Sequence, residues 1–392
     1  MVYYPRILER GLKEASQNFP LVLLTGPRQA GKSTTLTRLF KKHRYITFDD
    51  PVVRQQAMSD PALFLADHPG PAIFDEIQHA PQLLPHLKMT VDRDRAKICQ
   101  FLLTGSQTFP LMQGVSESLT GRVAVLELLP LSYRELPSMK SIDEDKAFSD
   151  IIRGYFPATA AQHIPSRVFY GSYIQTYLER DLRTLQNVQD LRTFQNFVEV
   201  LATNIGQLLN LSRVGALCGV SHTTAKRWLS ILEASRIVYL LRPYARNLRK
   251  RVVRTPKLYF TDSGIVAHIL RESNPRALRQ GVMGGYLFEN MVIMDLLKNN
   301  FAYGNPFQLY FYRDNNQVEV DLLLEQGGKL IPIEIKLTRS PTTNMISGIR
   351  SIANMMPVRK AYLVTTRQEV LTLEKNTVSM HWYQFLRNFD FS

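Results

Sequence analysis

Gly26, Gly31, Lys32 and Ser33 stand at the spacing G-x-x-x-x-G-K-[ST], directly after the apolar run Leu21-Val-Leu-Leu-Thr. Glycines at these positions let backbone N–H groups wrap a phosphate chain. The stretch Gly26, Pro27, Arg28, Gln29, Ala30, Gly31, Lys32, Ser33, Thr34 is therefore expected to hold a nucleoside triphosphate, ATP, with Mg2+. Lys32 would reach the outer phosphates and Ser33 would offer its hydroxyl to the ion. A helix starting at Lys32 would aim its positive end at the anion. Further along, Asp75 and Glu76 close the short apolar run Ala72-Ile-Phe. Asp75 suits the Mg2+ shell, and Glu76 suits polarisation of an attacking water. Ser106, with Thr104 as second choice, follows another apolar run and could touch the outer phosphate. Arg122, on a glycine turn, is a candidate to meet phosphate in cis or as a finger in trans.

These residues need a scaffold that brings strand ends together. Short apolar runs at 21–25, 44–48, 71–74, 98–103 and 123–127 alternate with helical patterns, which predicts a doubly wound parallel sheet with ligands at the carboxyl ends of its strands. The polar, charged stretch Ser138 to Asp150 suits a linker. Helical patterns are expected over 151–155, 167–185 and 191–205.

Residues 211–233 then predict a short helix, a glycine turn at Gly219 and a second helix capped by Ser221, which is a helix-turn-helix pattern. In such a unit the second helix enters a major groove. His222, Thr223, Lys226 and Arg227 would be its exposed readers, with Val220, Ala225, Leu229 and Leu232 inside. Strands over 237–242 and 257–260 would complete a wing. Between Ala234 and Thr261 there is no acid and there are eight bases, Arg236, Arg242, Arg246, Arg249, Lys250, Arg251, Arg254 and Lys257. Phosphate contacts explain so one-sided a run, with Arg249, Lys250 and Arg251 at its centre.

Near the C-terminus, the alternating strand around Glu319 and Asp321 precedes a second strand with Glu334 and Lys336 on one face, and Glu289 lies on an apolar helix upstream. Two carboxylates and a lysine on neighbouring strands can bind Mg2+ through Asp321 and Glu334 and activate a water beside a phosphodiester. An ordinary charged strand face is the alternative.

Composition sets the frame. The 392 residues suffice for two or three domains, and 48 Lys plus Arg against 34 Asp plus Glu give a formal net charge of +14, which favours a polyanionic partner. No apolar run reaches the roughly 18 residues needed to span a bilayer. The start is charged too early for a signal peptide, so a cytoplasmic, soluble protein without membrane contact is expected. Cys99 and Cys218 stand far apart and are expected to be buried small hydrophobes.

Two resemblances add to this reading. Gly26 to Ser33, Phe74-Asp75-Glu76-Ile77-Gln78, Leu103-Thr104-Gly105-Ser106 and Gly121-Arg122 with Pro130-Leu131-Ser132 resemble the AAA-type ATPases of bacteria and archaea whose C-terminal half was long labelled a domain of unknown function. Glu289, Asp321 and the triplet Glu334-Ile335-Lys336 resemble the helix acid, strand aspartate and Glu-x-Lys pattern of restriction-endonuclease-like nucleases. The expected organisation is a P-loop AAA-type domain at 1–137, a helical linker and winged-helix module at 138–275, and a restriction-endonuclease-like α/β domain at 276–392. The resemblances imply an ATPase with a C-terminal nuclease-like fold; the helix-turn-helix and the basic run add the expectation that it acts on DNA, duplex, forked or branched. A nucleotide-gated regulator without DNA cleavage is the other reading. An arginine finger supplied in trans would imply a homo-oligomer.

Overall fold

A computed structural model describes residues 2–94, 97–105, 109–139, 142, 144–178, 191–244, 255–314 and 316–391. The N-terminal part is built on five strands, β1 (Leu21–Thr25), β2 (Arg44–Thr47), β3 (Ala72–Asp75), β4 (Phe101–Thr104) and β5 (Val123–Glu127). All are parallel, in the order β2-β3-β4-β1-β5. Every residue of β1, β3 and β4 is buried, as a sheet covered on both faces requires.

Alternate residues of each strand feed opposite cores. Leu21, Leu23, Phe74, Phe101 and Leu103 pack with Phe48, Phe64, Leu84 and Leu87. Val22, Leu24, Ile73 and Leu102 pack with Leu8, Leu12 and Leu36. The insertion of β4 between β1 and β3 decides the site, because it lines up the ends of three strands that are far apart in sequence.

The expected linker is not one. Helix Glu144–Arg153 buries Ala147, Phe148 and Ile151 together with Glu144 and Asp150. Its apolar positions recur at helical spacing, while the charges between them give the segment a polar average. After β5, residues 133–136 form a turn pinned by the C-terminal part of the chain, with Tyr133 N–H donating to Asp295 Oδ1 at 2.7 Å and the preceding Ser132 Oγ to Asn299 Oδ1 at 3.1 Å.

The helix-turn-helix pattern forms as expected. Helices Leu211–Leu217 and His222–Ala234 are joined through Gly219 at φ +69°, a left-handed turn that glycine adopts without penalty. Ser221 Oγ caps the second helix by accepting from Thr224 N–H at 3.1 Å. Trp228 stacks edge-on against Phe194 and Phe197 of helix Leu191–Thr203, at 5.2 and 5.4 Å. Strands β6 (Val238–Leu241) and β7 (Lys257–Phe260) pair antiparallel.

The C-terminal part has the strands β8 (Gln308–Arg313), β9 (Glu319–Gln326), β10 (Lys329–Ile335), β11 (Ala361–Thr365), β12 (Leu371–Glu374) and β13 (Thr377–His381). They form one mixed sheet in the order β12-β13-β11-β10-β9-β8. Helix Gly284–Ala302 is buried along most of its length against this sheet and the middle helices. One hydrophobic core joins Phe197 and Trp228 to Phe288, Leu322 and Trp382, so apolar packing is continuous across the expected boundary at 275/276. Cys218 is buried and Cys99 half-buried. No helix among the described residues is long and apolar enough to cross a membrane.

Candidate functional site

The phosphate loop sits between β1 and helix Lys32–Leu39, which begins at the expected residue. Gly26 has φ +136°, and a Cβ there would lie 2.1 Å from the Leu128 carbonyl oxygen, so no side chain fits. Gly31 at φ +96° turns the chain into the helix. Lys32 Nζ donates to two carbonyls of its own loop, those of Gly26 and Pro27, both at 3.0 Å. Arg6 fastens the loop from outside. Its guanidinium donates to Ala30 O at 2.9 Å and Leu129 O at 2.6 Å, and Nε pairs with Glu135 at 3.1 Å. Nothing in the spacing of the sequence marks Arg6; only the fold brings residues 6, 30 and 135 together.

At the ends of the neighbouring strands, Asp75 is 5% exposed. Its Oδ1 accepts from Ser33 Oγ at 2.6 Å and Thr104 Oγ1 at 2.5 Å, and its Oδ2 from Tyr45 OH at 2.8 Å. Burial, then the hydrogen bond to Asp75, pushes the Tyr45 hydroxyl well above its ordinary pKa, so it stays a donor. A serine hydroxyl beside a carboxylate is a donor set that suits Mg2+, with phosphate oxygens and waters completing the shell. Ser33 and Asp75 are the residues that would hold it.

Glu76 adopts the left-handed conformation, φ +58°, with its N–H bound to Thr104 Oγ1 at 3.1 Å. Its carboxylate accepts from Gln78 Nε2, while Gln78 Oε1 is buried without a hydrogen-bond partner. Thr104 thus contacts both acids. Ser106 lies outside the described residues. Tyr45 was missed by sequence reasoning, and Gln78 stood in the stretch Phe74 to Gln78 that carries the resemblance without a role of its own.

Arg122 needs correction as a cis residue. It immediately precedes β5, at the edge where β1 also begins, since Leu21 N–H donates to Arg122 O at 3.3 Å. A five-residue strand at about 3.3 Å per residue therefore separates it from the loop by about 16 Å. Its guanidinium is engaged by Asp92 through two bonds of 2.8 Å.

His222, Thr223, Lys226 and Arg227 are exposed on helix His222–Ala234, with Ala225, Leu229 and Leu232 buried as expected; Val220 is half-buried. Arg249, Lys250 and Arg251 lie outside the described residues. Two bases of the same run serve internal contacts instead. Arg236 pairs with Glu127 of β5, and Lys257 is 3% exposed.

Lys257 enters the C-terminal acid cluster. The fold does bring Glu289, Asp321, Glu334 and Lys336 together, as their order in sequence suggested. Lys336 Nζ lies 3.3 Å from Asp321 and 2.6 Å from Glu334. Asp321 Oδ2 also accepts from Ile335 N–H at 2.8 Å. Burial, reinforced by Asp321, raises the Glu334 pKa to about 8; burial, offset in part by Lys257, raises that of Glu289 to about 7. Yet Lys257 Nζ stands among the acids, 2.5 Å from Glu319, 3.4 Å from Glu289 and 3.8 Å from Asp321. Burial alone would depress its pKa, but Glu289, Asp321 and Glu319 reverse that and keep it charged.

A divalent ion on Asp321 Oδ1, at about 2.1 Å, would lie within about 6 Å of this ammonium and meet repulsion on the order of 5 kcal/mol at an effective dielectric of about 20. Among the described residues no group of three or more His, Cys, Asp or Glu is disposed to hold a metal. The metal expected on Asp321 and Glu334 does not fit this arrangement, because the Lys257 ammonium, from a distant strand, already stands among the acids.

The parallel sheet, the glycine loop and the aligned Ser33, Asp75 and Thr104 define a P-loop protein of the AAA type. Residues 18–137 match the family described as AAA domain, and residues 145–276 and 284–385 match two families described as domains of unknown function. The chain is 36% identical over 335 residues to the uncharacterized protein Rv2008c of Mycobacterium tuberculosis, covering 84% of this chain and 73% of that one, and it belongs to the same family. The uncharacterized protein MJ1544 of Methanocaldococcus jannaschii is 22% identical over 338 residues, covering 77% and 71%. A solved structure, the Walker-type ATPase paby2304 of Pyrococcus abyssi, is 15% identical, covers 67% of this chain and 94% of its own, and gives a TM-score of 0.43, too low to argue from.

Proposed function

We propose that this protein is a Mg2+-dependent ATPase that acts on DNA. The observation that carries the ATPase reading is the meeting of Ser33, Asp75, Thr104 and Glu76 at adjacent strand ends beside the phosphate loop. In this reading Lys32 leaves the carbonyls of Gly26 and Pro27 for the outer phosphates. Ser33 and Asp75 hold the ion, whose charge would offset that developing on the phosphates. Glu76, held by Gln78, orients the attacking water, and Thr104 fixes Asp75 and the Glu76 backbone. The nucleotide base would sit against Tyr3, Tyr4, Pro157 and Gln162, which wall a cavity of about 50 Å3 next to Gly31 and Thr34. Ligand pockets usually need about 300–1,000 Å3, so these walls must part on binding.

DNA contact is supported by the exposed His222, Thr223, Lys226 and Arg227 on the second helix of the helix-turn-helix and by the net charge of +14. We read that unit with β6 and β7 as a winged helix, and the C-terminal sheet with its Asp321 and Glu334-x-Lys336 arrangement as nuclease-like in fold. Cleavage of the polymer at those acids has no such support, since Lys257 stands among them. The test is ATP turnover together with a salt titration of duplex, forked and four-way DNA. Binding that weakens steeply with salt, and less steeply after His222, Lys226 and Arg227 are changed to Ala, supports the reading. Absence of binding at low salt with turnover intact would turn it toward a nucleotide-gated regulator.

A further inference from the structure

We propose that the carboxylate cluster of the C-terminal sheet is closed by Lys257, whose ammonium holds the position a divalent cation would need. The native chain therefore takes no such ion there, and removing that ammonium opens a cation site.

The argument begins with which residues meet. Glu289 comes from the buried helix, Glu319 and Asp321 from β9, and Glu334 from β10. Lys257 comes from β7, outside this sheet altogether. The period of two on β7 puts Lys257 and Tyr259 on one face, and both turn toward the same acid. Tyr259 OH donates to Glu289 Oε1 at 2.6 Å, and Lys257 Nζ lies 3.4 Å from that oxygen. Strand β7 is thus tied to the helix acid by the phenol and the ammonium, and to β9 by the ammonium.

Charge explains why an ion is not needed while this contact holds. The four acids Glu289, Glu319, Asp321 and Glu334 meet three cations: Lys257, Lys336 and Arg313, the last 2.9 Å from Glu319 Oε2. Without Lys257, the four acids would keep two cations in a buried setting. Glu334, 7% exposed, already has Oε2 buried without a hydrogen-bond partner. Hard carboxylate oxygens in deficit of positive charge are what Mg2+ or Mn2+ binds. Loss of the lysine should therefore create a site where the native chain has a latch.

The measurement is Mn2+ binding by the nucleotide-free full-length chain, read from the electron paramagnetic resonance signal of free Mn2+. Ser33→Ala is used as background to weaken ion binding beside the phosphate loop, and the Asp321→Asn comparison isolates the C-terminal cluster. In that background no binding should depend on Asp321: the added change Asp321→Asn should leave the titration unaltered. Lys257→Met, which keeps the aliphatic stem, should gain one equivalent of Mn2+ that Asp321→Asn then abolishes. Mn2+ bound by the Lys257-containing chain and lost on Asp321→Asn would overturn the proposal. So would a Lys257→Met chain with an unchanged circular dichroism spectrum and no gained ion. Should Lys257→Met not fold, the comparison of the Ser33→Ala chain with and without Asp321→Asn still decides whether the native cluster is closed.

Discussion

Replacing Lys32 by Ala tests how the loop exchanges its own contacts for phosphate. Lys32 Nζ donates to two loop carbonyls at 3.0 Å, so contact with the phosphates gains the difference between those bonds and the new ones. A hydrogen bond with one charged partner contributes about 1.5 kcal/mol at the low end, and about 3 kcal/mol at the upper end, where both partners are charged. Two of each leave a net gain of about 3 kcal/mol, which is roughly a hundredfold in Kd. Titration of a fluorescent ATP analogue in Mg2+ should therefore show Lys32→Ala weakened about a hundredfold, and not the roughly ten-thousandfold that two new bonds alone would give. Weakening of less than about fivefold would refute the assignment of Lys32 to the phosphates. A loss near ten-thousandfold, with circular dichroism unchanged, would refute the offset by the loop carbonyls.

Three further outcomes follow from particular contacts. Glu76→Gln should retain ATP binding but slow single-turnover hydrolysis by about 10^2 to 10^4, the usual contribution of a positioned base; parent-like turnover would remove Glu76 from the chemistry. Arg6→Met should lower stability to urea by about 3–5 kcal/mol, because Glu135 stays behind as a buried charge, and adding Glu135→Gln should recover part of the loss. If the second change instead deepens the loss by its own full amount, the pair is not coupled. His381, whose pKa burial lowers from 6.5 to about 4 against a smaller opposing pull from Glu144, is neutral in the folded chain. Below pH 6.5 the unfolded ring takes a proton that the folded ring refuses, so stability falls as pH drops toward 4. Urea midpoints measured across that window should fall less steeply for His381→Gln than for the parent.

How far the sequence could be read depended on whether a function lies within one segment. The phosphate loop, its helix and the helix-turn-helix are set by neighbours in the chain: glycines at left-handed positions, Ser221 at a helix start, apolar residues at period two or near four. Their order alone marked the glycine loop and the acids Asp75 and Glu76 as candidates, and helix Lys32–Leu39 begins where the motif places it. Where local averages mislead, as in 144–153, burial of Ala147, Phe148 and Ile151 overrode a polar composition.

Contacts between distant segments were not legible, because spacing carries no record of which strands become neighbours. The insertion of β4 between β1 and β3 made Thr104 a partner of Asp75, and strand direction placed Arg122 at the far edge of the sheet. Lys257 is the sharpest instance. In sequence it belongs to a basic run and suggests phosphate. Only the packing of β7 against the C-terminal sheet puts its ammonium among Glu289, Glu319 and Asp321, where their combined field, not its neighbours in the chain, sets its role.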